Sequence, residues 1–230
     1  MSTNNHKKIL LVTRPIAPPW DEASKNFAFS LATNMHGQEI YLLTNGIMQG
    51  LPDNVRQKPV YTSNDFSYLQ KLRLIKHLRK MRNEFDILHY VFTPTKQNAF
   101  LIKSLVNCQT NRCAKTIQTI ATLRDDLYSD RELRNLIFGN IIITYSDYAK
   151  NKLNALDFQN VKRVYPGIDL QTYSPAPKNE KLLATYALHK SNFIVTYPGE
   201  YTRLGAIDDI LEMLIKYIEI FRQNGIMPVF

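Results

Sequence analysis

The chain has 230 residues, 44% of them apolar, with a formal charge of +9 and an isoelectric point near 9.4. That length fits one large domain or one and a half ordinary ones, and that apolar fraction implies a packed core rather than disorder. No run of about 18 apolar residues offers a membrane span, and the first residues lack the apolar stretch and cleavage site of a secretory signal.

Two cysteines, Cys108 and Cys113, are too few for a disulfide framework and have no zinc-ligating companions. Reduced, buried thiols in a cytoplasmic protein are the expectation, with no bound metal.

In chain order, KKILLVT (residues 7–13) is an apolar run of strand length, followed by the proline-rich loop RPIAPPWDEAS. KNFAFSLATNM reads as a helix ended by Gly37, and EIYLLTN as a second strand closed by Asn45 and Gly46. Residues 47–64 read as irregular. A helix is expected over roughly 66–83, and within it KLRLIKHLRKMR (71–82) holds six of the 29 basic residues. Leu69, Leu72, Ile75, Leu78 and Met81 recur at helical spacing, which predicts an apolar stripe with basic side chains on the other side. That helix is either a solvated face or a contact for an anionic membrane surface. No recognised nucleic-acid motif accompanies it, so nucleic acid is not the expected partner.

FDILHYVF (85–92) is a buried-type strand followed by a helix over 96–106. The rhythm repeats through KTIQTIATL (strand), RDDLYSDRELRNLI (helix), NIIITYS (strand), DYAKNKLNALD (helix) and VKRVYPG (strand ending in a turn). Strands alternating with helices predict parallel βαβ units, and about five such strands before Pro166 make one doubly wound α/β, Rossmann-like domain over 1–167. Residues 168–190, with two prolines and many polar residues, read as a connector. A new βα unit then begins with NFIVTYPG and AIDDILEMLIKYIEIF, so 191–230 reads as the start of a second Rossmann-like domain that the sequence does not finish. An open sheet edge of that kind would invite pairing with a second copy.

These segments resemble glycosyltransferases of the two-Rossmann GT-B architecture, in particular the retaining family 4. The resemblance lies in VYPGIDLQTYSP (164–175), in NIIITYSDYAKNKL upstream of it, in YPGEYTRLGAIDDIL downstream, and in the first loop, ILLVTRPIAPPWDEASKNFAFSLA. Individually these motifs are weak; together their order covers nearly the whole chain.

The resemblance implies a nucleotide-sugar donor held by the second domain and a saccharide or lipid-linked acceptor held by the first. It implies sugar transfer with retention and no metal or other cofactor. It places Gly199, Arg203 and Gly205 around the donor diphosphate, where a basic side chain and a helix N-terminus can offset developing charge. Leu204 stands where relatives have lysine, Glu200 where they have arginine, and Glu22 and Ala23 where they have paired glycines.

Trp20, Asp21, Glu22, Lys25 and Asn26 then read as an acceptor pocket, since sugars are bound by aromatic faces and by carboxylate or amide hydrogen bonds. His89, Arg124 and Asp125, close to strand ends, join them as acceptor candidates, while Ala121 stands where relatives have a histidine. The expected role is an enzyme peripheral to the inner face of the plasma membrane, contacting it through residues 71–82. The same departures also suit a degenerate, non-catalytic domain that binds an acceptor or a protein partner.

Overall fold

A computed structural model describes residues 6–18, 20, 22–92, 95–103, 114–171, 173–192, 194 and 206–226. The chain divides into two compact units, Met1–Gly167 and Ile168–Phe230.

In the first unit, seven strands form one parallel sheet in the order β3-β2-β1-β4-β5-β6-β7. The strands are β1 (Lys8–Ile16), β2 (Glu39–Thr44), β3 (Val55–Pro59), β4 (Ile87–Val91), β5 (Lys115–Ile120), β6 (Ile141–Thr144) and β7 (Val161–Arg163). Between them lie α1 (Ala23–Asn34), α2 (Tyr68–Met81), α3 (Lys96–Leu101), α4 (Asp130–Leu136) and α5 (Asp147–Ala155). The doubly wound fold is therefore as the alternation implies, and the one strand beyond the segments read as strands is β3. β3 escapes a reading by apolar runs because it is an edge strand: Arg56, Gln57 and Lys58 cover it and Pro59 ends it.

Alternate residues of the strands serve two cores. On one face Ile9, Leu11, Ile40, Leu42 and Val91 pack with Ala28 and Ala32 of α1. On the other, Leu10, Val12, Leu88 and Tyr90 pack with Leu74, Ile75, Leu78 and Met81 of α2. A third cluster joins Ile120, Ile142 and Val161 to Leu133 and Leu136 of α4 and Leu153 of α5. Gly139 lets β6 enter beside β5, because a Cβ there would meet Ile141 O at 2.7 Å and Gln118 Cβ at 2.8 Å.

Proline is tolerated in central β1 because the strand bulges. Leu11 pairs with Leu42 and Ile16 with Thr44, so five steps along β1 match two along β2. The bulge exposes Arg14, while the Thr13 carbonyl accepts a hydrogen bond from the Tyr61 hydroxyl.

α4 starts later than the sequence suggests. Residues 124–129 form a turn, and the helix begins at Asp130 behind a capping box in which Ser129 and Glu132 satisfy each other's backbone amides.

In the second unit, α6 (Glu180–Thr185) lies inside the stretch expected to be plain connector. The Asn179 side chain starts it by accepting from the amides of Lys181 and Leu182, and Leu183 is buried. α7 (Ala206–Gln223) coincides with the expected helix and ends near Gly225, whose φ of 70° only glycine adopts without strain. The strand expected over 192–199 and its turn lie almost entirely outside the described residues. Among the described residues, no helix is long and apolar enough to cross a membrane.

Candidate functional site

In an open parallel sheet, ligands bind beyond the carboxyl ends of the strands, where the strand order reverses. Here the reversal falls between β1 and β4. The loops at that edge follow β1 (residues 17–22), β4, β5 (121–129), β6 (145–146) and β7.

The loop after β1 is tied down by its own polar side chains. Asn26 Nδ2 donates to Trp20 O at 3.2 Å, Lys25 Nζ to Ala17 O at 3.4 Å, and Asn64 Nδ2 to Pro18 O at 2.9 Å. Lys25 is buried despite its charge. The Glu22 carboxylate holds Arg14 at 3.0 Å and accepts from Ser24 Oγ at 2.7 Å. Trp20, 41% exposed, leans on Phe29 with ring centroids 4.8 Å apart. Of the acceptor candidates in this loop, Trp20 therefore offers open surface, while Glu22, Lys25 and Asn26 fix the loop that carries it. Asp21 lies outside the described residues.

His89 sits inside β4, paired in register with Leu11 on one side and Ile117 on the other. It is buried, and its Nε2 lies 2.7 Å from Thr119 Oγ1. Burial pushes its pKa down to about 4, so the ring is neutral at pH 7.

Arg124 and Asp125 lie in the loop that follows β5. Arg124 holds Asp126 with two hydrogen bonds, 2.9 and 2.8 Å, which raise its own pKa and lower that of Asp126. Asp125 accepts a hydrogen bond from the Tyr148 hydroxyl, at the start of α5, and that bond raises the tyrosine's pKa. Tyr145, after β6, meets Phe27 of α1 with centroids 5.6 Å apart, so the α1 side and the β6 side of the edge adjoin. Burial raises Tyr145 to about 12.

A reading of the sequence assigns no role to Tyr148 or Tyr145. The available signal was the serine-led helix start, SDYAK, since Ser146 caps α5 by accepting from the Ala149 amide. A hollow lined by Ile120, Thr122, Leu123, Arg124 and Tyr128 has room for about one water molecule, far less than a sugar ring.

The donor candidates Gly199, Arg203 and Gly205 lie outside the described residues. The described helix that follows them, α7, carries Asp208 and Asp209 in its first turn. Among the described residues, no cluster of His, Cys, Asp and Glu is arranged to hold a metal.

No family model matches this sequence, and no curated protein matches it by sequence. Solved structures do match by fold. Anabaena HepE in complex with UDP-glucose aligns with a TM-score of 0.57 at 15% identity, over 90% of this chain and 58% of its own. Its complex with UDP and glucose gives 0.53 at 15% over 96% and 68%, and its complex with UDP gives 0.53 at 14% over 95% and 68%. This chain thus spans about three-fifths to two-thirds of the length of those structures and shares their GT-B-like, Rossmann-type α/β fold.

Proposed function

We propose that this chain contributes the acceptor-side domain and the first part of the donor domain of a family 4-like glycosyltransferase. The sugar comes from a nucleotide-sugar donor and goes to a saccharide or lipid-linked acceptor. The observation that carries this reading is the fold likeness, over 90% of the chain, to a protein solved with UDP-glucose.

The rim supports the acceptor side. It presents two exposed aromatic side chains, Trp20 and Tyr148, the second bonded to the Asp125 carboxylate, and three further carboxylates, Glu22, Asp126 and Asp147, that are paired with Arg14, Arg124 and Arg163. Such a surface suits hydroxyl groups better than phosphates. On the donor side, Gly199 and Gly205 would let the backbone approach the diphosphate, and Arg203 would offset its charge against Asp208 and Asp209. The acceptor is drawn from an anionic membrane surface contacted through residues 71–82.

Calorimetric titration with UDP and UDP-glucose tests the donor part. Binding is expected, with a loss of about tenfold or more in Arg203→Ala, since hydrogen bonds to charged groups are worth roughly 1.5–3 kcal/mol. If neither ligand binds at millimolar concentration, the donor reading fails. The chain is then better read as a domain that binds an acceptor or a protein partner, a role that Glu22 and Leu204 in place of the relatives' glycine and lysine also suit.

A further inference from the structure

The apolar stripe read along the basic helix divides in the folded unit. Gln70, Leu74, Ile75, Leu78 and Met81 face the core. Leu69 and Leu72 do not: they are 71% and 40% exposed, and Tyr68 beside them is 64% exposed. At about 100° per residue, Tyr68, Leu69, Leu72, Arg73, Lys76, Arg79 and Lys80 share one arc of roughly 140°. Apolar and cationic side chains therefore occupy the same outward face, with the apolar ones in the first turn. Among the described residues, no carboxylate lies within ion-pairing distance of these four cations.

A merely solvated helix has no use for three adjoining exposed apolar side chains, because single scattered ones are the norm. A nucleic acid would match the cations and leave Leu69 and Leu72 in water. An anionic bilayer matches both sets, since its headgroup region takes apolar side chains and its phosphates attract lysine and arginine.

Position adds a further reason. The first turn of α2 is fastened to the carboxyl edge of the sheet. Gln70 Nε2 donates to Thr62 Oγ1 and Ser63 Oγ, both at 2.8 Å, and the next residue, Asn64, holds Pro18 in the loop that carries Trp20.

We propose that Tyr68, Leu69 and Leu72 insert into the headgroup region of an anionic leaflet while Arg73, Lys76, Arg79 and Lys80 bind its phosphates. Insertion brings the carboxyl edge of the sheet down to the bilayer, where a lipid-linked acceptor is presented to the rim. This last step rests on the glycosyltransferase reading; the insertion does not.

The test uses phosphatidylcholine vesicles with and without about one-third phosphatidylglycerol, read by co-sedimentation. Binding only to the anionic vesicles is expected. The variant Tyr68→Ser/Leu69→Ser/Leu72→Ser, which keeps every cation, should bind at least about tenfold more weakly. Its circular dichroism should be unchanged, because all three side chains are exposed. In Leu69→Trp, the added fluorescence should shift to the blue and be quenched by lipids brominated near the headgroup.

Equal binding by the serine variant, or an unquenched Leu69→Trp, overturns the insertion. So does tight binding to single-stranded RNA without binding to anionic vesicles. UDP-glucose titration without vesicles keeps the two readings apart: its failure removes the acceptor step and leaves the insertion standing.

Discussion

Two groups of positive side chains in the first unit differ in their surroundings. From α3 to β7 several cations are paired: Lys96 with Glu132 at 2.5 Å, Lys152 with Asp130 at 2.7 Å, Arg124 with Asp126 at 2.8 Å and Arg163 with Asp147 at 2.9 Å. Along α2 the cations Arg73, Lys76, Arg79 and Lys80 have no such partner among the described residues. The formal +9 is thus unevenly spread. Paired cations set the shape of loops and contribute little charge of their own to the surface. Unpaired ones sum to a field that reaches a polyanionic partner.

The largest expected effect separates these two groups directly. Replacing Arg73, Lys76, Arg79 and Lys80 together by glutamine removes about 1 kcal/mol each of attraction to an anionic surface, or roughly a thousandfold in vesicle affinity. Replacing Lys96 and Lys152 by glutamine, which removes two rim cations, should change vesicle affinity less than about threefold. Co-sedimentation at low and high salt checks both, and the α2 contribution should shrink as salt screens it. Equal losses per charge would mean that net charge matters and placement does not.

Lowering the pH gives a second, smaller contrast. The His89 pKa is held at about 4 in the folded protein against 6.5 in the unfolded one. The unfolded chain therefore takes up the proton first. Stability is complete above about pH 6.5, declines as the pH falls, and has lost about 3 kcal/mol once the pH is below 4. Urea midpoints across that window measure the slope. The double variant His89→Leu/Thr119→Val, which removes both hydrogen-bond partners, should flatten it. His77 on α2 is also held below its usual pKa, by partial burial and then by Arg73, Lys76 and Lys80. Its protonation at low pH adds one positive charge to α2, so vesicle binding should strengthen on acidification.

The elements that were legible in the sequence are those whose environment is simple. β1, β2, β4, β5 and β6 are buried from both faces and read as apolar runs. β3 was hidden by its edge position. The stripe along α2 divides at Gln70, because a buried glutamine is favourable only once Thr62 and Ser63 are there to bond it. A periodicity argument cannot know that, so it leaves Leu69 and Leu72 in one stripe with Ile75, Leu78 and Met81. At the rim, Arg124 and Asp125 are legible as loop residues because they come shortly after the apolar run of β5. The bond of Tyr148 to Asp125 is not legible, because the two stand 23 residues apart and meet only after β5 and β6 pair. Ser129 and Glu132 carried a capping signature that marks where α4 begins, and the polar residues before them obscured it.

The smallest expected effect converts one paired cation into an unpaired one. Asp147→Asn removes the carboxylate 2.9 Å from Arg163, whose guanidinium also lies over the Tyr165 ring at 4.1 Å from its centroid. The ring contact survives the substitution and continues to hold the arginine. Stability should therefore fall by less than about 1 kcal/mol, as for other exposed ion pairs. The rim meanwhile gains one positive charge without gaining any exposed apolar neighbour of the kind that α2 offers. Affinity for anionic vesicles should rise by no more than about fivefold, and moderate salt should cancel the gain. A salt-resistant increase would mean that the rim itself contacts the bilayer, and the division between a membrane face and an acceptor edge would have to be redrawn.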